Sequence, residues 1–279
     1  MDHSLVRRCW NENADLWTEL SQAGYDTFRD YLKAPAFFEL LPDVEGFLGL
    51  DVGCGDGHNT RLLAERGARV TAIDISDVFL GHARHSEERE PLGIGYLGAT
   101  ALRLPFAGGT FDFVTGIMSF MDIPETDRAL AEVYRVLKPG GFLQFSIIHP
   151  CFKTSRRRRL RDENGSTYAV EVSDYFRTLR GDVVELLFSG VPPEIREGLP
   201  AFKMPRFTRT LSQWLNLVME KGFLLERVEE PRPSDEVVRE HPELRVAQVV
   251  ASFLHVRARK GDRGTGRLTD VQGENEDNV

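Results

Sequence analysis

The stretch LGLDVGCGDGHNTRLLAERGARVTAIDIS, residues 48–76, decides the fold. Its apolar run at 48–52 stops at three alternating glycines, Gly53, Gly55 and Gly57. A helical segment follows and closes with Arg66 and Gly67, a cation and then a helix-ending glycine. A second apolar run, residues 70–73, ends in Asp74. Strand, glycine turn, helix and parallel strand with an acid at its tip make a unit that holds the adenosine part of a cofactor.

The spacing narrows the cofactor. A dinucleotide fingerprint, G-x-G-x-x-G/A, would put its third small residue at position 58, where His58 stands. Asp51 lies two residues before the first glycine, and a carboxylate there would repel a pyrophosphate at short range. It suits a cofactor with a cationic amino group, the competing reading being a carboxylate tied to loop N–H groups.

Outward from this unit, apolar and aromatic positions recur at helical spacing from Leu5 to Trp17. Two further helical segments, near 25–32 and 36–41, are expected to end before Pro35 and Pro42. Ser76 is placed to cap a helix over 77–88, and a short strand is expected near 94–97. Strand four covers 111–115, a helix 125–137 and strand five 142–148, after the break Lys138-Pro139-Gly140-Gly141. This rhythm predicts an α/β fold with a mostly parallel sheet flanked by helices. Residues 151–206, with the run RRRRLR at 156–161, read as a long irregular segment. The arginine run reads as a solvated loop, or more sharply as a contact for an anionic substrate or nucleic acid. A helix at 210–221 and strands at 224–229 and 249–257 follow. The tail from 261 is too poor in apolar residues to offset its ordering entropy and is expected to be disordered.

The glycine turn resembles motif I of the class I S-adenosylmethionine-dependent methyltransferases. ATALRLPFAGGTFDFVTG (99–116) and LAEVYRVLKPGGFLQFSIIHPCF (130–152) resemble the same family around its fourth and fifth strands. HPCF and the N-terminal WNENADLW are similar to a small-molecule subgroup. The resemblance covers about 40–260 and implies a Rossmann-like seven-stranded sheet, with S-adenosyl-L-methionine as cofactor and S-adenosyl-L-homocysteine as product. It implies one domain over 1–260, with residues 1–42 as a helical cap or lid and 151–206 as an insertion near the active site. It assigns Asp51, Gly53, Cys54, Gly55, Gly57, Asn59, Asp74, Ile75, Thr100, Ala101, Leu102 and Met118 to the cofactor. Thr100 stands where the family commonly has Asp, so the Ala101 N–H is expected to carry more of the adenine recognition. Tyr25, Arg29, Tyr31, Ser119 and Phe120 are substrate candidates, with plain packing as the rival for Tyr25, Arg29 and Tyr31 and for Met118 and Phe120. His149 and Asp122 are the candidate bases, each against a structural reading, and no metal is implied.

Composition sets limits. The chain has 279 residues, 41% hydrophobic and 28% charged, in the ordinary globular range. Its net charge of −8 argues against a general nucleic-acid binder. No apolar run approaches the ~18 residues of a membrane span, and the N-terminus lacks a signal-peptide core. Three scattered cysteines suggest reduced thiols in a cytoplasm. The resemblance implies a small-molecule acceptor, and a monomer or homodimer is expected. An RNA methyltransferase and a non-catalytic S-adenosylmethionine-binding protein stand as alternatives.

Overall fold

The computed structural model describes residues 3–261, so all but the first residue of the expected disordered tail lies outside the described residues. Helix α1 (His3–Gln22) leads through a π-helical turn (Arg29–Lys33) directly into α2 (Ala34–Leu40). The expected break at Pro35 is absent. Pro35 sits in the first turn of α2, where its missing N–H costs nothing, and the Ala34 N–H reaches back to the Arg29 carbonyl.

The core then alternates: β1 (Leu48–Val52), α3 (His58–Glu65), β2 (Arg69–Asp74), α4 (Asp77–Arg89), β3 (Gly95–Gly98), β4 (Phe111–Ile117), α5 (Thr126–Val136) and β5 (Leu137–Ile148). Ser76 caps α4, its hydroxyl accepting from the Phe79 N–H. Strand β5 starts earlier than the Pro-Gly-Gly break suggests, because Leu137 already pairs with Phe111. Beyond it stand two antiparallel hairpins, β6 (Arg156–Arg161) with β7 (Thr167–Ser173), and β8 (Arg180–Leu186) with β9 (Phe202–Phe207). A short helix, α6 (Pro193–Arg196), lies between β8 and β9. The chain closes with α7 (Leu211–Glu220), β10 (Phe223–Glu229), the short helices α8 (Asp235–Glu240) and α9 (Val246–Val249), and β11 (Phe253–Lys260).

Residues 151–206 are therefore not an irregular loop, and the arginine run is a strand. RRRRLR lacks the apolar–polar alternation that marks a strand, so its pairing becomes visible only through its partner TYAVEVS.

Seven strands form one sheet in the order β10-β11-β5-β4-β1-β2-β3, and only β11 runs antiparallel to its neighbours. Both faces are covered, which is why the inner strands are buried almost throughout. Leu130, Val133, Phe145 and Trp214 pack on one side, and Phe37, Leu63, Phe113 and Phe142 on the other. Helix α1 lies across α4 and the second hairpin, where the Asn13 amide exchanges two 3.0 Å hydrogen bonds with the Lys203 backbone. No described helix is long and apolar enough to cross a membrane.

Asp51 holds the centre of this sheet. Its carboxylate is buried and accepts from the Thr60 hydroxyl of α3 at 2.6 Å and the Thr115 hydroxyl of β4 at 2.8 Å. Burial pushes its pKa up, and the two hydroxyls pull it back. Thr115→Val keeps the shape but leaves a buried acceptor short of a donor. Urea unfolding is expected to read a loss of about 1–3 kcal/mol, most of it restored by Thr115→Ser.

Candidate active site

Beyond the carboxyl ends of β1, β2, β4 and β5 opens a cavity of about 720 Å³. This is where the strand order reverses between β1 and β4, the place where open α/β sheets bind ligands. Helix α1 contributes His3, Val6, Trp10 and Trp17 to its wall, and both hairpins contribute to it as well.

The glycine turn forms one end. Gly53 and Gly55 line the wall with φ of 76° and 56°, in the region that favours glycine. A Cβ on Gly53 would come within 2.4 Å of Ser119 Cβ. Cys54 and Asn59 also line the wall, and Asn59 Oδ1 is buried without a hydrogen-bond partner. Asp74 closes the tip of β2. One of its oxygens accepts from the Gly55 N–H and the other from the Ser76 N–H, both at 2.8 Å. Burial raises its pKa to about 6 against the pull of those N–H groups. Ile75 and Ala101 complete this end. Bare main chain beside a cavity-side carboxylate fits a nucleoside with ribose hydroxyls to donate.

Four cofactor expectations are corrected. Asp51 does not reach the wall, because both its oxygens are occupied by threonine hydroxyls behind the turn. Gly57 also lies off the wall and serves instead as the left-handed N-cap of α3. Thr100 turns away, its hydroxyl bonded to the His3 ring and accepting from the Leu102 N–H. Leu102 itself packs in the core.

On the acceptor side, Met118 and Ser119 line the wall. Met118 adopts a left-handed φ of 60°, and its N–H donates to the Ser146 carbonyl at 3.0 Å. The Ser119 hydroxyl donates to the Val52 carbonyl at 2.6 Å. Phe120 is corrected: it is fully buried beside Phe145 and does not face the cavity. Tyr31 is corrected too, being 42% exposed and stacked on His241 at 3.8 Å, away from the cavity. Tyr25 and Arg29 do line it. Arg29 bonds to the Ser21 hydroxyl and carbonyl and to Asp30, so it braces the N-terminal segment.

The two candidate bases differ sharply. His149 borders the cavity, but its Nδ1 accepts from the Cys151 N–H at 3.2 Å and its Nε2 meets Glu230 Oε1 at 2.6 Å. Neither nitrogen is left for an acceptor. Burial lowers its pKa against the pull of Glu230. Asp122 ends a 3₁₀ turn on the wall, and its Oδ1 is buried without a hydrogen-bond partner. Arg206 Nη1 stands 4.0 Å away, and burial outweighs it, raising the carboxyl's pKa to about 7.

The sequence did not single out Trp10 and Trp17, or Lys153, Arg206 and Arg209, which also face the cavity. Arg157 and Arg159 do so as alternate residues of β6, a period-2 signal hidden in an unbroken arginine run.

A methyltransferase-domain family model matches residues 50–145. Demethylmenaquinone methyltransferase of Thermus thermophilus is 42% identical over 96 residues, covering 34% of this chain and 44% of that protein. Malonyl-[acyl-carrier protein] O-methyltransferase of Pectobacterium atrosepticum is 32% identical over 128 residues, covering 44% and 48%. The chain thus spans about half the length of the curated relatives it matches. A solved S-adenosylmethionine-dependent methyltransferase from Mesorhizobium loti superposes with a TM-score of 0.64 at 28% identity, covering 81% of this chain and 96% of that one. Strand order, glycine turn, the acid at the tip of β2 and these matches agree: residues 50–145 form a methyltransferase domain, and the chain has the fold of the class I S-adenosylmethionine-dependent methyltransferases, whose cofactor is S-adenosylmethionine.

Proposed function

We propose that this protein transfers a methyl group from S-adenosylmethionine to an O, N or C atom of a small-molecule acceptor, with Asp122 as the general base. One observation carries the reading: a single cavity joins the glycine turn and Asp74 to a buried carboxyl oxygen that accepts no hydrogen bond. The two curated relatives support methyl transfer, and their names give different acceptors, so the acceptor is sought in this chain's own cavity.

Gly53 and Gly55 would let main chain approach the cofactor, Asp74 would accept from its ribose, and Ala101 would border its adenine. When bound, the cofactor supplies a methyl on cationic sulfur, so the acceptor's lone pair makes the new bond to carbon and the carbon–sulfur pair returns to sulfur. The protein aligns the partners, excludes water and removes the acceptor's proton. Alignment is worth up to about 7–11 kcal/mol. Asp122 would take the proton and Ser119 would brace the wall beside it. His149 is reassigned from base to strut, since its two bonds hold the start of the hairpin region against Glu230.

The assignment is tested with the full chain by calorimetry with S-adenosylhomocysteine and by its release from S-adenosylmethionine across an acceptor panel. Asp74→Ala is expected to weaken cofactor binding about 10–100-fold, from the loss of about 1.5–3 kcal/mol of charged hydrogen bonding; unchanged affinity would refute the site.

Turnover is expected to rise with pH through about 7, as Asp122 gives up its proton. Asp122→Asn should remove that rise and lower kcat about 10²–10⁴-fold, leaving S-adenosylhomocysteine affinity intact. Stability should move the other way. A carboxyl whose pKa is raised by folding costs stability as pH climbs from its unfolded value through about 7. The asparagine variant should therefore melt higher than the parent at pH 8 and show a smaller difference at pH 4. A pH–rate profile kept by the variant would remove Asp122 from the mechanism.

A further inference from the structure

We propose that the methyl acceptor is a small organic anion whose carboxylate or phosphate is seated on Lys153, Arg157, Arg159 and Arg209. This rests on the methyltransferase reading above and names the substrate class of that same site. Strand β6 sorts its arginines by face. On one face Arg156 pairs with Asp174 at 3.4 Å and Arg158 with Glu171 at 2.8 Å. On the other, Arg157 and Arg159 border the cavity with no carboxylate in ion-pair range among the described residues.

Two more basic side chains line the same cavity. Lys153 Nζ lies 5.5 Å from the Phe28 ring centre and 5.9 Å from that of Phe253, again without a carboxylate. Burial, with Arg157, Arg159, Lys33 and Arg206 nearby, pushes its pKa down to about 6, so it is mostly neutral at pH 7 until an anion beside it favours the charged form. Arg209 covers the Trp214 ring at 5.2 Å, and its Nη1 is buried without a hydrogen-bond partner. Acids on the wall do not answer this charge. Asp26 faces Lys33, Asp56 accepts from the His58 N–H in the glycine turn, Asp174 faces Arg156 and Arg177, Asp74 is held by backbone, and Glu185 is exposed at the rim. Asp122, at 4.0 Å from Arg206, is largely neutral below pH 7.

Like charges crowded in a half-buried space are costly, and an anion would relieve them through charge-assisted, forked hydrogen bonds. The confinement favours a small molecule over nucleic acid. Arg156 and Arg158 of β6 are already paired with carboxylates, the chain's net charge is −8, and the unpaired Arg157 and Arg159 border a cavity of about 720 Å³. A phosphate grip would need the reverse arrangement, with free cations outside.

The test uses the full chain saturated with S-adenosylhomocysteine and titrated with inorganic phosphate or with malonate. Saturable binding of at least one is expected, and which one binds identifies the anionic group. Arg157→Gln/Arg159→Gln should weaken that binding at least tenfold, while Arg156→Gln/Arg158→Gln, on the other face of the same strand, should not. Unchanged S-adenosylhomocysteine affinity in both double variants shows that each is folded. No binding of either anion, equal binding by both variants, or tighter binding of a single-stranded oligonucleotide that depends on Arg156 and Arg158 would overturn the proposal. Failure of S-adenosylhomocysteine to bind the parent would instead overturn the methyltransferase reading.

Discussion

The seam between β1 and β4 governs the site. Two adjacent strands diverge there, and the chain leaving β1 must pass close against the chain leaving β4. Gly53 makes this possible, because any side chain at that position would collide with Ser119. The Ser119 hydroxyl then closes the seam by donating to the Val52 carbonyl, and deeper in the sheet Asp51 and Thr115 repeat the link. The consequences run outward. Met118 is driven into a left-handed conformation, and the next turn sets Asp122 on the cavity wall. The residues facing the cofactor end and the proposed base are thus positioned by one contact between two strand ends.

Much of the sheet was legible because it is written locally. Parallel strands buried on both faces show as short apolar runs, and the glycines between them announce turns that only glycine makes without strain. Gly53, Gly55, Asp74 and Ile75 reach the cavity because strand direction and a tight turn are enough to aim them. Asp51 was misread for the opposite reason. Its neighbours in sequence say nothing of two hydroxyls arriving from nine and sixty-four positions away. Thr100, Phe120 and Tyr31 failed in the same way: each lies within two positions of a cavity residue, and the tertiary fold alone decides which neighbour turns inward.

The hairpin region was illegible by pattern. Period-2 reading needs contrast between faces, and four consecutive arginines offer none. What separates them is their partners: Arg156 and Arg158 meet Asp174 and Glu171, and no carboxylate among the described residues comes within ion-pair range of Arg157 or Arg159. The same run therefore supplies solvent-side ion pairs and cavity-side bare cations. An exposed ion pair contributes about 0–1 kcal/mol at most, so the outer pairs do not explain why the inner arginines are tolerated. A ligand of opposite charge does.

Asp122 and the cationic face then act on each other. Desolvation raises the carboxyl, and Arg206 lowers it, though 4.0 Å is too far for a hydrogen bond. An anion drawn toward Arg206 would offset the guanidinium's pull and leave desolvation less opposed. The carboxyl would become a stronger base when the proposed acceptor is in place, and it would be held back when the cavity contains only water. Specificity and proton removal would share one electrostatic balance, set by a strand whose alternate arginines face different worlds.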